Sequence, residues 1–192
     1  MKHFSPVAVA HRFVRSLVRP GDLCVDATVG NGHDTALLAQ LVGEAGQVLG
    51  FDVQVSALEA AQYSLAKHQL DKRVALLHQG HETVSEVLSK RGASSLNLAM
   101  FNLGYLPGSN KSIVTQTEST LKALQLCLEN LDSNGAISIV AYRGHDGGNE
   151  ESMAVETWVE QLPVESFFCL RFERWSHERG LTPVFFWVRK RD

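Results

Sequence analysis

Hydrophobic positions along the chain alternate between helix-like and strand-like spacing for most of its length. Residues 5–18 place apolar side chains three and four positions apart, which predicts an N-terminal amphipathic helix before the turn at Pro20-Gly21-Asp22. Short apolar runs follow, separated by stretches with helical spacing, and this alternation predicts parallel βαβ units. We expect strands at 23–27, 47–52, 74–78, 96–101 and 136–141, and helices at 33–41, 54–69, 82–90, 115–131 and 149–161.

The C-terminal part of the chain departs from this alternation. Because the apolar runs 166–172 and 184–188 leave no room for a crossover helix, we expect them to pair as an antiparallel hairpin. An α/β sheet that ends in such a hairpin is typical of class I methyltransferases, whereas a plain dinucleotide dehydrogenase lacks it. We therefore expect one Rossmann-like α/β domain over residues 1–192, with a mostly parallel seven-stranded sheet.

Composition and charge narrow the class of protein. Of the 192 residues, 44% are hydrophobic and 20% are charged, which indicates a globular protein with a sizeable core. No apolar run has the roughly 18 residues of a membrane helix, and His11 and Arg12 interrupt the apolar N-terminal stretch. We expect a cytoplasmic protein that does not contact membranes. The net charge of −3 means that any RNA partner needs a local basic patch.

The three cysteines, Cys24, Cys127 and Cys169, are scattered and form no CxxC pair. This spacing gives no indication of a zinc or redox site, and we expect no metal. Because each cysteine has apolar neighbours in the sequence, we expect all three to be buried as small hydrophobic residues.

A glycine-containing loop follows the first predicted strand. Asp26 ends that strand, and Gly30 and Gly32 allow the backbone to approach a ligand closely. Asp52 ends the second strand 20 residues after Gly32, the spacing at which a carboxylate reaches the hydroxyls of a ribose. The loop lacks a third phosphate-binding glycine and a GK[ST] sequence, so S-adenosylmethionine, which has no phosphate, fits it better than a pyrophosphate. For the glycines alone, an ordinary tight turn is the alternative.

The ends of the later strands add polar candidates. His81 and Glu82 follow the third strand, where such folds place a polar group near an adenine, although Glu82 also suits the first turn of a helix. Asn102 and Tyr105 follow the fourth strand: an Asn oxygen can accept a hydrogen bond from an amine, and a Tyr ring can stack on a base. His145 follows the fifth strand in a glycine-rich loop. The alternative for these loops is a capping Asn, a half-buried Tyr and a surface His.

Four segments, DATVGNGHDT, GFDVQ, FNLGYLPGSNK and AYRGHDGGNEE, resemble in their order and spacing the small bacterial methyltransferases of the rRNA methylase family. The resemblance spans about residues 5–190. FNLGYLPG and the GHxGG loop are specific to this group, whereas the first glycine motif is shared by class I methyltransferases. Within the group, the chain is similar to the enzymes that methylate 5-aminomethyl-(2-thio)uridine at the tRNA wobble position to give 5-methylaminomethyl-(2-thio)uridine.

This resemblance implies S-adenosylmethionine as the cofactor, the tRNA anticodon stem-loop as the partner, and a homodimer. The residues that it places beside the target amine are Asn102, Tyr105 and His145. The residues that it places around the cofactor are Asp26, Thr28, Gly30, Asn31, Gly32, Asp52, Gln54, His81 and Glu82. Thr28 departs from the class I pattern, in which a glycine is usual.

A local basic patch for RNA is expected from cations on the first helix and beside the loops of the site. The candidates are Arg12, Arg15, Lys111 and Arg143. Two other functions stay open, because a fold does not fix a substrate. The first is methylation of rRNA or of a small molecule, and the second is a non-catalytic module that binds S-adenosylmethionine or RNA.

Overall fold

The computed structural model describes residues 5–106, 113–174 and 182–192, so the RNA-binding candidate Lys111 lies outside the described residues. The strands are β1 (Leu23–Asp26), β2 (Gln47–Asp52), β3 (Val74–His78), β4 (Leu96–Leu103), β5 (Leu131–Ala141), β6 (Phe167–Glu173) and β7 (Val184–Lys190). The helices are α1 (Pro6–Leu17), α2 (His33–Val42), α3 (Val55–Lys67), α4 (Val84–Lys90), α5 (Thr117–Glu129) and α6 (Gly148–Glu160). Short 3₁₀ helices, Asp71–Arg73 and His81–Thr83, precede β3 and α4.

The seven strands form one sheet in the order β3-β2-β1-β4-β5-β7-β6. Strands β1 to β5 pair in parallel, and β7 is antiparallel to both of its neighbours, β5 and β6. The predicted Rossmann-like sheet with its C-terminal hairpin is therefore confirmed. The strand order reverses between β1 and β4, so the connections diverge there and leave a crevice at the carboxyl ends of these strands.

Helices cover both faces of the sheet. On one face α4, α5 and α6 pack over a core that includes the fully buried Phe101, and on the other α1, α2 and α3 pack over a core that includes Leu38. Helix α1 is fixed by the ring of Phe13, whose centroid lies 5.6 Å from that of Phe185 and 5.2 Å from that of Trp187. This packing holds the N-terminal helix beside the carboxyl edge of the sheet.

Predicted and observed element ends differ by at most two residues, except at the start of β5, which was expected at 136 and lies at Leu131. We expected a helix over 115–131, but α5 ends at Glu129 and Leu131 belongs to β5, where it pairs with Leu96. The pairing becomes irregular just after Leu96, and Asn134 has a φ of 63°. A bulge of this kind lengthens one strand without any change in hydrophobic spacing, so the sequence pattern does not reveal it.

The cysteines also differ in part from expectation. Cys24 and Cys127 are buried, and burial raises the pKa of the Cys127 thiol to about 12, so this thiol stays protonated. Cys169, in contrast, is exposed on β6. Because β6 is an edge strand, helices cover it less completely than the central strands, and all seven of its residues are at least partly accessible.

Across the described ranges, no helix is both long enough and apolar enough to cross a membrane. The same ranges contain no group of three or more His, Cys, Asp or Glu side chains placed to hold a metal ion. The expected cytoplasmic location and the homodimer stay predictions.

Candidate active site

A cleft of about 1110 Å³ opens at the carboxyl edge of the sheet. It is bordered by α1 and by the loops that follow β1 to β5, at the crevice where the strand order reverses. Most of the predicted site residues meet here, although their loops are far apart in the sequence. Those that line the cleft are Thr28, Gly30, Asn31, Asp52, Gln54, His81, Glu82, Asn102, Tyr105 and His145.

Asp26 lies behind the wall of the cleft and supports the β1–α2 loop from within. It is fully buried, its Oδ1 accepts the backbone N–H of Thr28 at 3.1 Å, and its Oδ2 accepts the hydroxyl of Thr35 at 2.6 Å. The hydroxyl of Thr28 in turn accepts the backbone N–H of Asn102 at 2.8 Å. A glycine at position 28 has no such group, so Thr28 joins the β1–α2 loop to the end of β4.

The two glycines of the β1–α2 loop, Gly30 and Gly32, have different structural roles. Gly32 has a φ of 76°, and a Cβ there would lie 2.8 Å from the Cβ of Ala61, so this glycine permits the close packing of α2 on α3. Gly30 has a φ of 51° and lines the cleft. Its backbone N–H donates to Oδ2 of Asp52 at 2.9 Å. Gly30 therefore contributes to the cleft, whereas Gly32 acts through the packing behind it.

Asp52 is held at the end of β2 by backbone donors. Besides the bond from Gly30, its Oδ1 accepts the backbone N–H of Gln54 at 2.8 Å. Each carboxylate oxygen keeps a further lone pair, and the side chain lines the cleft. The arrangement suits the acceptance of two neighbouring hydroxyl groups.

The charges around the cleft favour a cationic ligand. Asp34, Asp52 and Glu82 line it, whereas its lining contains no lysine or arginine within the part of the chain that the structure describes. An acidic cleft repels phosphates and attracts positive charge. S-adenosylmethionine, with its sulfonium and ammonium groups, matches this cleft better than a nucleotide phosphate does.

Three buried polar atoms of the cleft lack a hydrogen-bond partner among the described residues: His81 Nε2, Asn102 Oδ1 and His145 Nε2. The Nδ1 atoms of the two histidines lie 2.9 Å from the carbonyl oxygens of Ala27 and Asp146. In a neutral ring Nδ1 therefore carries the proton, and Nε2 presents a lone pair. Because an unsatisfied buried polar group costs about 1–3 kcal/mol, a ligand with N–H or O–H groups would stabilise all three positions.

The amide of Asn102 has a defined orientation. Its Nδ2 donates to Oδ2 of Asp34, so Oδ1 is the atom without a partner. Oδ1 of Asp34 lies 2.7 Å from Nε2 of His11 on α1. The sequence analysis missed both Asp34 and His11. The signal available for Asp34 was its place beside His33, directly after the glycine loop, whereas no signal in the sequence marked His11.

The loops after β4 and β5 contact each other through aromatic rings. Tyr105 and His145 meet edge to face, with centroids 5.9 Å apart and an interplanar angle of 89°. A Cβ on Gly148 would lie 2.6 Å from Nε2 of His145, so only a glycine leaves room for this ring position. Tyr105 also forms an isolated antiparallel bridge with Val114.

Arg143 is placed differently from expectation. Its side chain is only 10% exposed, and Nη1 lies 3.1 Å from Oε1 of Glu173, while Nη2 lies 3.7 Å from Glu156. Its Nε also donates to the hydroxyl of Ser152 at 3.0 Å. Because these contacts join the β5 loop to α6 and β6, we leave Arg143 out of the RNA-binding surface.

The burial of Asp26 raises the pKa of its carboxyl group from 3.8 to about 7, with a further contribution from the charge of Asp34. The folded state therefore holds this proton more tightly than the unfolded chain does. The contribution of Asp26 to stability is complete below pH 3.8 and is lost as the pH rises through about 7.

Asp26→Asn should make the stability of the protein less dependent on pH. The variant lacks the titrating group. The difference in unfolding free energy, wild type minus variant, should therefore fall by at least about 1 kcal/mol between pH 5 and pH 7.5. Urea unfolding at both pH values measures this difference. A difference that stays constant or grows with pH would show that Asp26 is ionised throughout.

Comparisons with known proteins find relatives of this chain in sequence and in structure. A family model described as "Putative rRNA methylase" matches residues 48–188. The chloroplastic tRNA (mnm(5)s(2)U34)-methyltransferase of Arabidopsis thaliana is 36% identical over 96% of this chain and 69% of that protein. The crystal structure of a putative rRNA methylase from Clostridium thermocellum superposes with a TM-score of 0.90 at 35% identity and covers 97% of each chain. A putative methyltransferase from Streptococcus mutans, solved in complex with SAH, has a TM-score of 0.84 at 32% identity, with 96% of this chain and 97% of that chain covered.

Proposed function

The chain belongs to the rRNA methylase family of S-adenosylmethionine-dependent methyltransferases, and from that premise we propose that it methylates 5-aminomethyl-(2-thio)uridine at the wobble position of tRNA. The product is 5-methylaminomethyl-(2-thio)uridine. The name of the Arabidopsis relative supports this substrate. The observation that carries the proposal is Asn102 Oδ1, a buried acceptor of the cleft that has no hydrogen-bond partner among the described residues. An amine can donate to this oxygen and still direct its lone pair at a methyl group.

S-adenosylmethionine, when bound, supplies a methyl group activated by an adjacent sulfonium. Asp52 would accept the two ribose hydroxyls, and His81 Nε2 would accept a hydrogen bond on the adenine side. Glu82 and Asp34 add negative charge to the cleft, which favours a cationic cofactor. The β1–α2 loop, held by Asp26 from below, keeps its backbone close to the ligand.

The substrate amine must lose a proton before it can act as a nucleophile. A free alkylamine is mostly protonated at neutral pH, and removal from water favours its neutral form. We assign His145 Nε2, which has a lone pair in the neutral ring, as the acceptor of that proton. Asn102 Oδ1 then orients the neutral amine, and Tyr105 stacks on the uracil ring. Methyl transfer to a neutral amine needs no strong base. The rate therefore depends on the alignment of the amine with the methyl group and on the exclusion of water from the cleft.

The RNA surface proposed here is the exposed side of α1. Val7 and His11 line the cleft. Arg15 is exposed and lies four residues after His11, on the same face of α1 and farther from the cleft. Arg12 is exposed on the same helix. These cations lie where the phosphates that flank an inserted nucleotide would pass.

Arg15→Glu should weaken tRNA binding and lower the steepness of its salt dependence by about one unit of slope, because one phosphate contact is lost. Titrations of tRNA at several salt concentrations measure both effects. Lys67→Glu, the same charge change at an exposed site at the C-terminal end of α3, is the control. Equal behaviour of the two variants would place the RNA surface elsewhere.

A methyl-transfer assay tests the proposed function. The protein is mixed with S-adenosylmethionine labelled in its methyl group and with one of three RNAs: tRNA that carries 5-aminomethyl-(2-thio)uridine, the same tRNA without the aminomethyl group, and rRNA. We expect label only in the first. Label in rRNA would favour the function that the family description names. Cofactor binding without transfer to any of the three would favour a non-catalytic module.

A further inference from the structure

Asp34 joins three elements of the cleft. It stands in the first turn of α2, its Oδ1 lies 2.7 Å from His11 Nε2 on α1, and its Oδ2 accepts Nδ2 of Asn102 at the end of β4. The side chain is 11% exposed, so water competes little for these contacts. None of the roles assigned above to the transfer step uses this carboxylate.

The chemistry of the amide explains what such a contact does. The two ends of an Asn side chain have similar size and opposite polarity: one end accepts hydrogen bonds and the other donates them. A carboxylate is only an acceptor, so Asp34 attracts Nδ2 and repels Oδ1. A half-turn of the amide would bring two acceptors together and remove Oδ1 from its present position. Asp34 therefore stabilises one of the two orientations of Asn102.

We propose that Asp34 is a positioning residue for methyl transfer, since its carboxylate holds the Asn102 amide with Oδ1 available to the substrate amine and is itself held by His11. The identity of the substrate rests on the proposed function. The orientation of the Asn102 amide does not, and it can be measured without any RNA. Failure of this inference and failure of the proposed function are thus separable.

The first test compares substitutions of Asp34. In Asp34→Ala the amide loses its acceptor, and we expect the kcat of methyl transfer at saturating S-adenosylmethionine to fall by about tenfold to a hundredfold. The affinity for S-adenosylmethionine should fall equally in Asp34→Ala and Asp34→Asn, because both variants remove the same negative charge from the cleft. In Asp34→Asn an oxygen can still accept Nδ2 of Asn102, so we expect a kcat at least about threefold above that of Asp34→Ala. Glu59→Gln, which removes an exposed acid on α3, should leave both quantities unchanged. Equal kcat values in the two Asp34 variants would overturn the positioning role.

The second test observes the amide directly. In a ¹⁵N–¹H correlation spectrum, the side-chain amide of Asn102 is identified by the signal pair that disappears in Asn102→Ala. We expect this pair to move in Asp34→Ala, because the hydrogen bond to the carboxylate is lost, and to shift less in Asp34→Asn. The backbone amide signals of β4 show whether each variant keeps its fold. An Asn102 signal that is unchanged in a folded Asp34→Ala variant would overturn the proposal, whatever the activity.

Discussion

Replacement of Asn102 by alanine should lower the kcat of methyl transfer by about tenfold to a thousandfold while the affinity for S-adenosylmethionine stays within about twofold. The side chain provides the contact assigned to orient the reacting nitrogen, so its loss misaligns the amine without removing any contact assigned to the cofactor. The protein also loses a partly buried hydrogen bond to Asp34, which should lower its melting temperature. Single-turnover rates and calorimetric cofactor titrations on the same preparation measure the two quantities separately.

A matched variant separates catalysis from stability. Asn130→Ala removes another Asn whose Nδ2 donates a hydrogen bond, here to the carbonyl oxygen of Leu126, at the end of α5 and away from the cleft. We expect it to lose stability but to keep a normal rate per folded molecule. If Asn102→Ala behaves in the same way, Asn102 is a structural residue and the proposed role of the β4 loop is wrong.

Replacement of Asp52 by alanine should weaken the binding of S-adenosylmethionine at least about tenfold. The carboxylate would accept two ribose hydroxyls, and the loss of such charge-assisted bonds costs about 1.5–3 kcal/mol. The backbone N–H groups of Gly30 and Gln54 also lose their acceptor, so the loop itself loosens. Calorimetry gives the affinity, and a thermal melt shows whether the variant is folded.

Asp132→Ala serves as the control for this variant, because Asp132 is an exposed acid near the start of β5 whose Oδ1 accepts a local hydrogen bond from the backbone N–H of Ser133. Its affinity for S-adenosylmethionine should equal that of the wild type. Unchanged affinity in a folded Asp52→Ala variant would remove Asp52 from the cofactor site.

Hydrophobic spacing within short segments explains why so much of the fold was predictable. The alternation of helical and extended spacing fixes the order of the elements, and the short connection before β7 fixes the hairpin. The glycine loop and Asp52 were predictable for the same reason, because the spacing of a βαβ unit brings them together. The residues named in advance around the cleft all stand at the carboxyl ends of strands, a position that sequence alone identifies.

Contacts between distant segments explain what the sequence analysis missed. Asp34 and His11 meet only because α1 packs beside α2, and nothing in either segment specifies that contact. Arg143 was expected to bind RNA, but its partners Glu156 and Glu173 come from α6 and β6. The sequence shows that a side chain is charged, but it does not show whether oppositely charged residues from distant segments will pair with it in a buried position.

The most direct test of the proposed reaction is mass spectrometry of the nucleosides of a tRNA that carries 5-aminomethyl-2-thiouridine, after incubation with the protein and S-adenosylmethionine that has a deuterated methyl group. We predict that the wobble nucleoside becomes 5-methylaminomethyl-2-thiouridine with deuterium in its new methyl group, that its precursor disappears in equal amount, and that Asn102→Ala slows the conversion. Deuterium in any other nucleoside, or an unchanged precursor in the presence of a protein that binds the cofactor, would contradict the proposed function.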